Sequence, residues 1–187
     1  MKTFTLLPSL LAFLASVVGA LPTPQPQEAS GQDDCNMSSS LFYLVTASSP
    51  MCSSNSSNLP MVSATSLFDP LHQPNFFLRT IGPGYGSLPV FTLSGGSLHT
   101  FSSDAFGQGN YTYSASRPVP GSELQFLQGD QSDAGLALKG GFLLGLGDVT
   151  DGWTLCPGAM DQTVLKWNGT DAGCTATYVQ AVSAPPY

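Results

Sequence analysis

The feature that most constrains the fold is a series of short apolar runs separated by clusters of turn-forming residues. The runs are rich in β-branched and aromatic side chains and show no helical period. They cover residues 41–46, 61–68, 76–81, 89–94, 97–101, 110–115, 124–128, 136–139, 142–146, 153–155, 164–167 and 175–182. This spacing is typical of antiparallel strands joined by turns, and good helix formers such as Lys and Glu are scarce. The sequence therefore predicts an all-β protein of about twelve short antiparallel strands.

The same Gly-Gly interruption occurs in two places. Residues 91–101 read FTLSGGSLHTF and residues 136–146 read LALKGGFLLGL, so their hydrophobic positions and glycine pairs coincide. Glycine adopts the positive φ angles that a two-residue hairpin turn requires, so each segment is predicted to form a β-hairpin. Side chains alternate faces along a strand. The inward positions beside the two turns are predicted to be Leu93, Leu98, Leu138 and Leu143.

The duplicated hairpin favours a single compact domain. A sandwich or a Greek-key barrel that uses one hairpin twice accounts for the pattern. A β-trefoil is the alternative, because about twelve strands and a repeat of about forty-five residues suit its three units. Residues 46–56 offer no third Gly-Gly turn, so the sandwich or barrel is preferred.

Two segments precede the predicted domain. Residues 1–20 have one charge, an apolar run and small residues at their end, which is typical of a secretory signal peptide. For a membrane span, the apolar run is too short, and Pro8 interrupts it. Residues 21–34 carry three prolines and little that could pack, so they are predicted to be a disordered linker or propeptide. The β domain is expected to cover residues 35–187.

The cysteines indicate disulfide bonds. Four cysteines in a secreted chain favour two disulfides over metal or catalytic roles. Of the three possible pairings, Cys35–Cys52 with Cys156–Cys174 is preferred, because each bond closes a short loop and stabilises by about 3 kcal/mol. No metal site is expected, since there is no C-x-x-C pair and neither histidine lies near a cysteine.

Four Asn-x-Ser/Thr triplets are candidate glycosylation sites in a eukaryotic secretory route. They begin at Asn36, Asn55, Asn110 and Asn168. Because a glycan is bulky, each site that is used marks a surface facing solvent.

The charge balance argues against two classes of partner. Without residues 1–20, four Lys and Arg side chains stand against twelve Asp and Glu side chains, a formal charge of −8. A chain so acidic has no positive surface for phosphates, so neither nucleic acid nor an anionic membrane is an expected partner. No cofactor is expected, because the sequence has no phosphate-binding glycine motif.

No residue is assigned a catalytic role. The two histidines, His72 and His99, have no nucleophile and orienting acid at a recognisable spacing, and they are interpreted as surface or edge residues. Two pairs of acids flank the second hairpin, and a glycosidase or a calcium site would use such carboxylates. Their Gly-Asp-x-Ser/Thr-Asp context is typical of tight turns, which is the preferred interpretation. These acids are Asp130, Asp133, Asp148 and Asp151.

Aromatic side chains offer a possible carbohydrate platform. An exposed aromatic ring can stack on a sugar ring. The principal candidates are Tyr85, Trp153 and Trp167, and further candidates are Tyr111 and Tyr113. Packing in the core is the alternative for each.

The order of segments resembles that of a group of small secreted proteins from filamentous fungi. The matching segments are FYLVT at 42–46, GGFLLGLG at 140–147, WTLC at 153–156, VLKWNG at 164–169 and the closing strand at 174–182. With the signal peptide and the Pro-rich linker before them, they are similar to the cell-wall and IgE-binding-type proteins of the PhiA-like group. The resemblance implies an extracellular or wall-associated location, and it supplies no catalytic residues.

These observations predict a secreted, glycosylated, disulfide-stabilised protein of the fungal cell wall or extracellular space that has no catalytic activity. A cell-wall polysaccharide is the expected partner. One alternative is a carbohydrate-binding module, lectin or secreted effector. The second alternative is a glycosidase-type enzyme that uses the aspartates near the second hairpin.

Overall fold

The computed structural model of this chain describes residues 40–52, 56–66, 75–81, 87–103, 110–131 and 133–186. The predicted signal peptide, the predicted linker and the first residues of the predicted domain lie outside these ranges. Within the described ranges, no helix is both long and apolar enough to cross a bilayer.

The described residues form short strands, as the sequence predicts. Each of the twelve predicted runs contains a strand, and the last run divides into two at Thr177. The Thr177 N–H donates to the carbonyl oxygen of Trp153 (3.0 Å) and its Oγ1 donates to that of Ala47 (3.1 Å), which interrupts the strand. Apart from two 3₁₀ turns, at Ser56–Asn58 and Ala159–Asp161, the described chain has no helix.

The thirteen strands are β1 (Phe42–Ala47), β2 (Met61–Thr65), β3 (Asn75–Arg79), β4 (Val90–Ser94), β5 (Ser97–Ser103), β6 (Asn110–Ala115), β7 (Gln125–Gln128), β8 (Leu136–Lys139), β9 (Leu143–Leu146), β10 (Trp153–Pro157), β11 (Thr163–Trp167), β12 (Thr175–Ala176) and β13 (Tyr178–Val182).

Seven strands close into an antiparallel barrel. Their order is β1, β2, β3, β7, β6, β5, β4 and back to β1. The barrel closes at β1, where Leu44 pairs with Val62 of β2 and Phe42 pairs with Phe91 of β4. Two extensions continue the sheet: β13, β9 and β8 follow from β1, and β11, β10 and β12 follow from β3. The predicted all-β fold class is therefore confirmed, in its barrel form.

One hydrophobic core joins the barrel to both extensions. Inside the barrel, the rings of Phe91 and Phe126 lie with their centroids 6.0 Å apart. Leu144 and Val179 of one extension and Trp153 of the other belong to the same cluster of buried side chains. The alternation of side chains along each strand thus places apolar residues on one continuous inner surface.

The first predicted hairpin forms as the sequence indicates. Strands β4 and β5 are joined by Gly95 and Gly96, with φ angles of +56° and +73°. Leu93 pairs with Leu98 across the two strands, and both contribute to the core or pack against it. Positive φ at both central residues is the geometry that a two-residue hairpin turn needs.

The second hairpin differs from its prediction by one residue. Its turn contains three residues, 140–142, so that Leu138 pairs with Leu144 and not with Leu143. The Phe142 carbonyl accepts a hydrogen bond from the Ala181 N–H of β13 at 2.7 Å, which keeps Phe142 in the turn. Because side chains alternate, this shift brings Leu144 into the main core cluster opposite Leu138, while Leu143 is buried as predicted but lies outside that cluster.

The two hairpins contact each other through the turn of the first. The Leu136 N–H donates to the Gly96 carbonyl at 2.8 Å, and the Ala134 N–H donates to Oγ of Ser97 at 3.3 Å. The Asp133 carboxylate lies directly against Gly96, where a Cβ atom would overlap it. Gly96 is therefore needed for its backbone angle and for the space beside it.

Replacing each of the two turn glycines with alanine separates the requirement for positive φ from the requirement for space. Gly95→Ala adds a methyl group that meets nothing within 4 Å, so it bears only the cost of positive φ, about 1 kcal/mol. Gly96→Ala also displaces Asp133, so we expect it to lower the free energy of unfolding by about twice as much. Urea denaturation of the two variants measures the difference, and equal losses would show that the contact with Asp133 contributes nothing.

Candidate functional site

The two tryptophans do not form a carbohydrate platform. Trp153 has no exposed surface and Trp167 is 4% exposed. Their rings pack edge to face with centroids 5.0 Å apart, and Nε1 of Trp153 donates to the carbonyl oxygen of Leu144 at 2.8 Å. The prediction that they stack on glycans was therefore wrong, because a sugar ring cannot reach either face. Tyr85, the third principal candidate, lies outside the described residues.

The two further aromatic candidates differ in exposure. Tyr111 is 38% exposed, whereas Tyr113 is buried and packs against Phe76 with ring centroids 4.6 Å apart. Burial, with a smaller contribution from neighbouring Tyr111, raises the pKa of Tyr113 above its usual value. The Tyr113 phenol is thus a neutral part of the barrel wall, and Tyr111 alone of this pair is accessible to a ligand.

The four aspartates near the second hairpin are exposed, and in the described part of the chain none of them belongs to a group of three side chains close enough to share a metal ion. The Asp133 Oδ1 accepts the N–H of Gly135 at 2.7 Å, as expected of an aspartate that stabilises its own turn. Among the described residues, the one group of three possible metal ligands within 4.8 Å of each other is Cys156, Asp171 and Cys174. Two of these three are joined as a disulfide. The turn interpretation is confirmed for Asp133.

His99 has two serine partners that the sequence did not reveal. Its Nδ1 lies 2.8 Å from Oγ of Ser114 on β6, and its Nε2 lies 3.0 Å from Oγ of Ser94 on β4. Ser114 is fully buried and Ser94 is exposed. In the described part of the chain, no carboxylate bonds to the ring, so the group that would stabilise an imidazolium during nucleophilic catalysis is not among its partners. His72 lies outside the described residues.

The loop between β11 and β12, residues 168–174, combines a glycosylation triplet with a disulfide. We call it the bridged sequon loop. It begins with Asn168, whose triplet ends at Thr170, and it ends with Cys174, which is bonded to Cys156 of β10. Asn168 and Thr170 are both exposed. The predicted Cys156–Cys174 pair is thereby confirmed.

Backbone hydrogen bonds hold the start of the bridged sequon loop against β10. Asn168 has a left-handed φ of +48°, and its N–H donates to the Gly152 carbonyl at 2.6 Å. The next N–H, of Gly169, donates to Oγ1 of Thr154 at 3.0 Å. A Cβ at Gly169 would lie 2.6 Å from that oxygen and 2.7 Å from Sγ of Cys156. The central residue of the triplet is therefore packed directly against the disulfide.

Charge and turn contacts hold the second half of the same loop. Nζ of Lys166 donates to Oδ2 of Asp171 at 2.6 Å, and the Cys174 N–H donates to the Asp171 carbonyl at 3.1 Å. The Asp171 carboxylate is more than half exposed, so this ion pair contributes little to stability. The disulfide and the backbone contacts are the stronger constraints on the loop.

The remaining predicted cysteine and glycosylation sites are placed only in part. Cys52 is disulfide-bonded, and Cys35, the partner predicted for it, lies outside the described residues. Asn36 and Asn55 also lie outside them, and Asn110 begins strand β6. The triplet that begins at Asn168 is thus the one for which the structure shows an exposed asparagine side chain.

Comparison with known proteins gives no family for this chain. No family model, no curated protein and no solved structure matches it.

Proposed function

We propose that this chain is a secreted, N-glycosylated and disulfide-stabilised protein of the fungal cell wall or extracellular space, and that it acts without catalysis. The observation that carries the proposal is the bridged sequon loop. One short loop contains both a disulfide to Cys156 and an exposed asparagine in an acceptor triplet, at Asn168. Disulfides persist in oxidising compartments, and N-glycans are added in the secretory route. The two features point to the same route.

The segments that resemble the wall proteins supply structural side chains. Trp153, Cys156 and Trp167 belong to the segments that resemble the PhiA-like group, and all three are buried. They therefore contribute to a stable scaffold, and contact with a wall polysaccharide would have to use exposed side chains of other residues. An acidic, glycan-bearing barrel is suited to such a structural role, because its charge keeps it soluble while its glycans face solvent.

The proposal of a protein without catalysis is supported by the polar groups that the fold brings together. The ring of His99 is held between Ser94 and Ser114, with no acid among its partners in the described residues. The carboxylate of Asp133 is used by its own turn. Labelling of Ser94 by a fluorophosphonate probe, lost on His99→Gln, would overturn this part of the proposal.

Secretion and wall association can be measured together. The full chain, tagged at its carboxyl terminus, is expressed in a filamentous fungus, and the medium, the wall and the cytosol are separated. We expect the protein in the medium or wall, and we expect a loss of apparent mass after treatment with an N-glycosidase. Asn168→Gln should remove one glycan, and deletion of residues 1–20 should keep the chain inside the cell. Finding the full chain only in the cytosol would end the proposal.

A further inference from the structure

We infer that Asn168 accepts its glycan only while the Cys156–Cys174 bond is open, so that glycan transfer and disulfide closure compete for the bridged sequon loop. The inference rests on the proposed function, since it requires that the chain enters the secretory route. It adds an order of events: transfer first, then closure.

The transfer reaction requires access to the acceptor side chain and to the backbone around it. The amide nitrogen of Asn168 attacks the anomeric carbon of a lipid-linked oligosaccharide, a carbon–nitrogen bond forms, and the bond from that carbon to the lipid diphosphate breaks. The amide proton passes to a base of the transferase, and the lipid diphosphate leaves. The transferase must hold Asn168 and the Thr170 hydroxyl together in its own cleft, which requires a segment of chain that can leave the surface of the substrate.

The folded loop does not provide such a segment. The N–H groups of Asn168 and Gly169 are both bonded to β10 or to the residue that precedes it, at 2.6 and 3.0 Å. Gly169 packs against Sγ of Cys156 so closely that a methyl group would not fit without a shift. The side chains of Asn168 and Thr170 face solvent, but their backbone cannot enter a cleft without breaking these contacts.

Whether these contacts can break depends on the bond between Cys156 and Cys174. Asn168 directly follows β11, and only five residues separate it from Cys174, whose bond to Cys156 fixes the second end of the bridged sequon loop on β10. Closure removes two electrons and two protons from the thiols, and a disulfide of the secretory compartment accepts them and becomes a dithiol. Before closure the loop is held only by hydrogen bonds to Gly152 and Thr154 and by the exposed ion pair of Asp171 with Lys166 of β11, and such contacts open readily.

The test compares glycan occupancy at each site in secreted protein, measured by mass spectrometry of glycopeptides. All chains carry Thr170→Ser, which keeps the acceptor triplet but makes it a weaker substrate, so that occupancy at Asn168 is not complete. One variant adds Cys156→Ser with Cys174→Ser. A second adds Gly169→Ala, which keeps both cysteines and the triplet but pushes the loop away from Cys156. We expect at least about a twofold rise in occupancy at Asn168 in the first variant and a smaller rise in the second.

Asn110 is the internal control, because it begins β6 of the barrel and does not belong to the extension that carries the bridged sequon loop. A rise at Asn168 with no change at Asn110 supports the inference, and an equal rise at both sites would show that the variants act by general misfolding and would overturn it. Unchanged occupancy at Asn168 in both variants would also overturn it, while glycans at the other triplets would leave the proposed function intact. A chain with no glycan at any triplet would overturn the proposed function itself.

Discussion

Replacing Trp153 with alanine is expected to lower the free energy of unfolding by about 3–5 kcal/mol. The indole is fully buried, packs against the ring of Trp167, and donates a hydrogen bond from Nε1 to the Leu144 carbonyl. Leu144 belongs to the extension that leaves β1, whereas Trp153 belongs to the one that leaves β3. The truncation would therefore leave a cavity at the place where the two extensions share the core. Urea denaturation followed by far-ultraviolet circular dichroism measures the loss.

Two matched variants separate the contributions of Trp153. Trp153→Phe keeps an aromatic ring but removes the N–H, so we expect a smaller loss, of which about 1 kcal/mol comes from the hydrogen bond to Leu144. Val149→Ala truncates a side chain that is more than half exposed, and it should change stability by less than about 0.5 kcal/mol. If Trp153→Ala cost no more than Val149→Ala, the buried contacts of Trp153 with Trp167 and Leu144 would contribute nothing to stability.

Local sequence patterns predicted the strands because the signals for them are local. Alternating apolar residues and turn-forming residues report on the backbone of their own segment, and the turn at Gly95 and Gly96 needs nothing beyond two adjacent glycines. The second turn contains the same glycine pair but gains a third residue, Phe142. The Phe142 carbonyl accepts a hydrogen bond from Ala181, about forty residues later in the chain, and such a partner cannot be found before the strand pairing is known.

The candidate site shows the same division between local and distant causes. The glycosylation triplet at Asn168 and the nearby cysteines are sequence motifs, and they could be located before the structure was known. The burial of Trp153 and Trp167 could not, since it depends on their direct pairing between β10 and β11 and on the cover that other strands provide. The two serines around His99 come together only through the register of three strands. Aromatic content alone therefore overestimated the carbohydrate-binding surface.

The second large effect is expected from the ion pair between Arg79 and Glu123. Arg79 ends β3 and is almost fully buried, where it pairs with both Ser63 of β2 and Val164 of β11. Its Nε and Nη2 lie 3.2 and 3.1 Å from Oε2 of Glu123. The guanidinium carbon also lies 5.3 Å from the centre of the Phe77 ring, and Nη1 lies 3.5 Å from Oε1 of Gln162. The charge thus connects the barrel to the extension that carries the bridged sequon loop.

Glu123→Ala should lower the free energy of unfolding by about 3 kcal/mol, because it leaves the buried guanidinium of Arg79 without its carboxylate. The matched control is Asp171→Ala, which breaks the exposed ion pair with Lys166 and should cost less than about 1 kcal/mol, although that pair has the shorter N–O distance. The double variant Arg79→Met with Glu123→Ala should recover part of the loss, since it removes the uncompensated charge as well. Urea denaturation of the three variants tests the order. A loss from Asp171→Ala as large as that from Glu123→Ala would show that burial does not set the strength of these pairs.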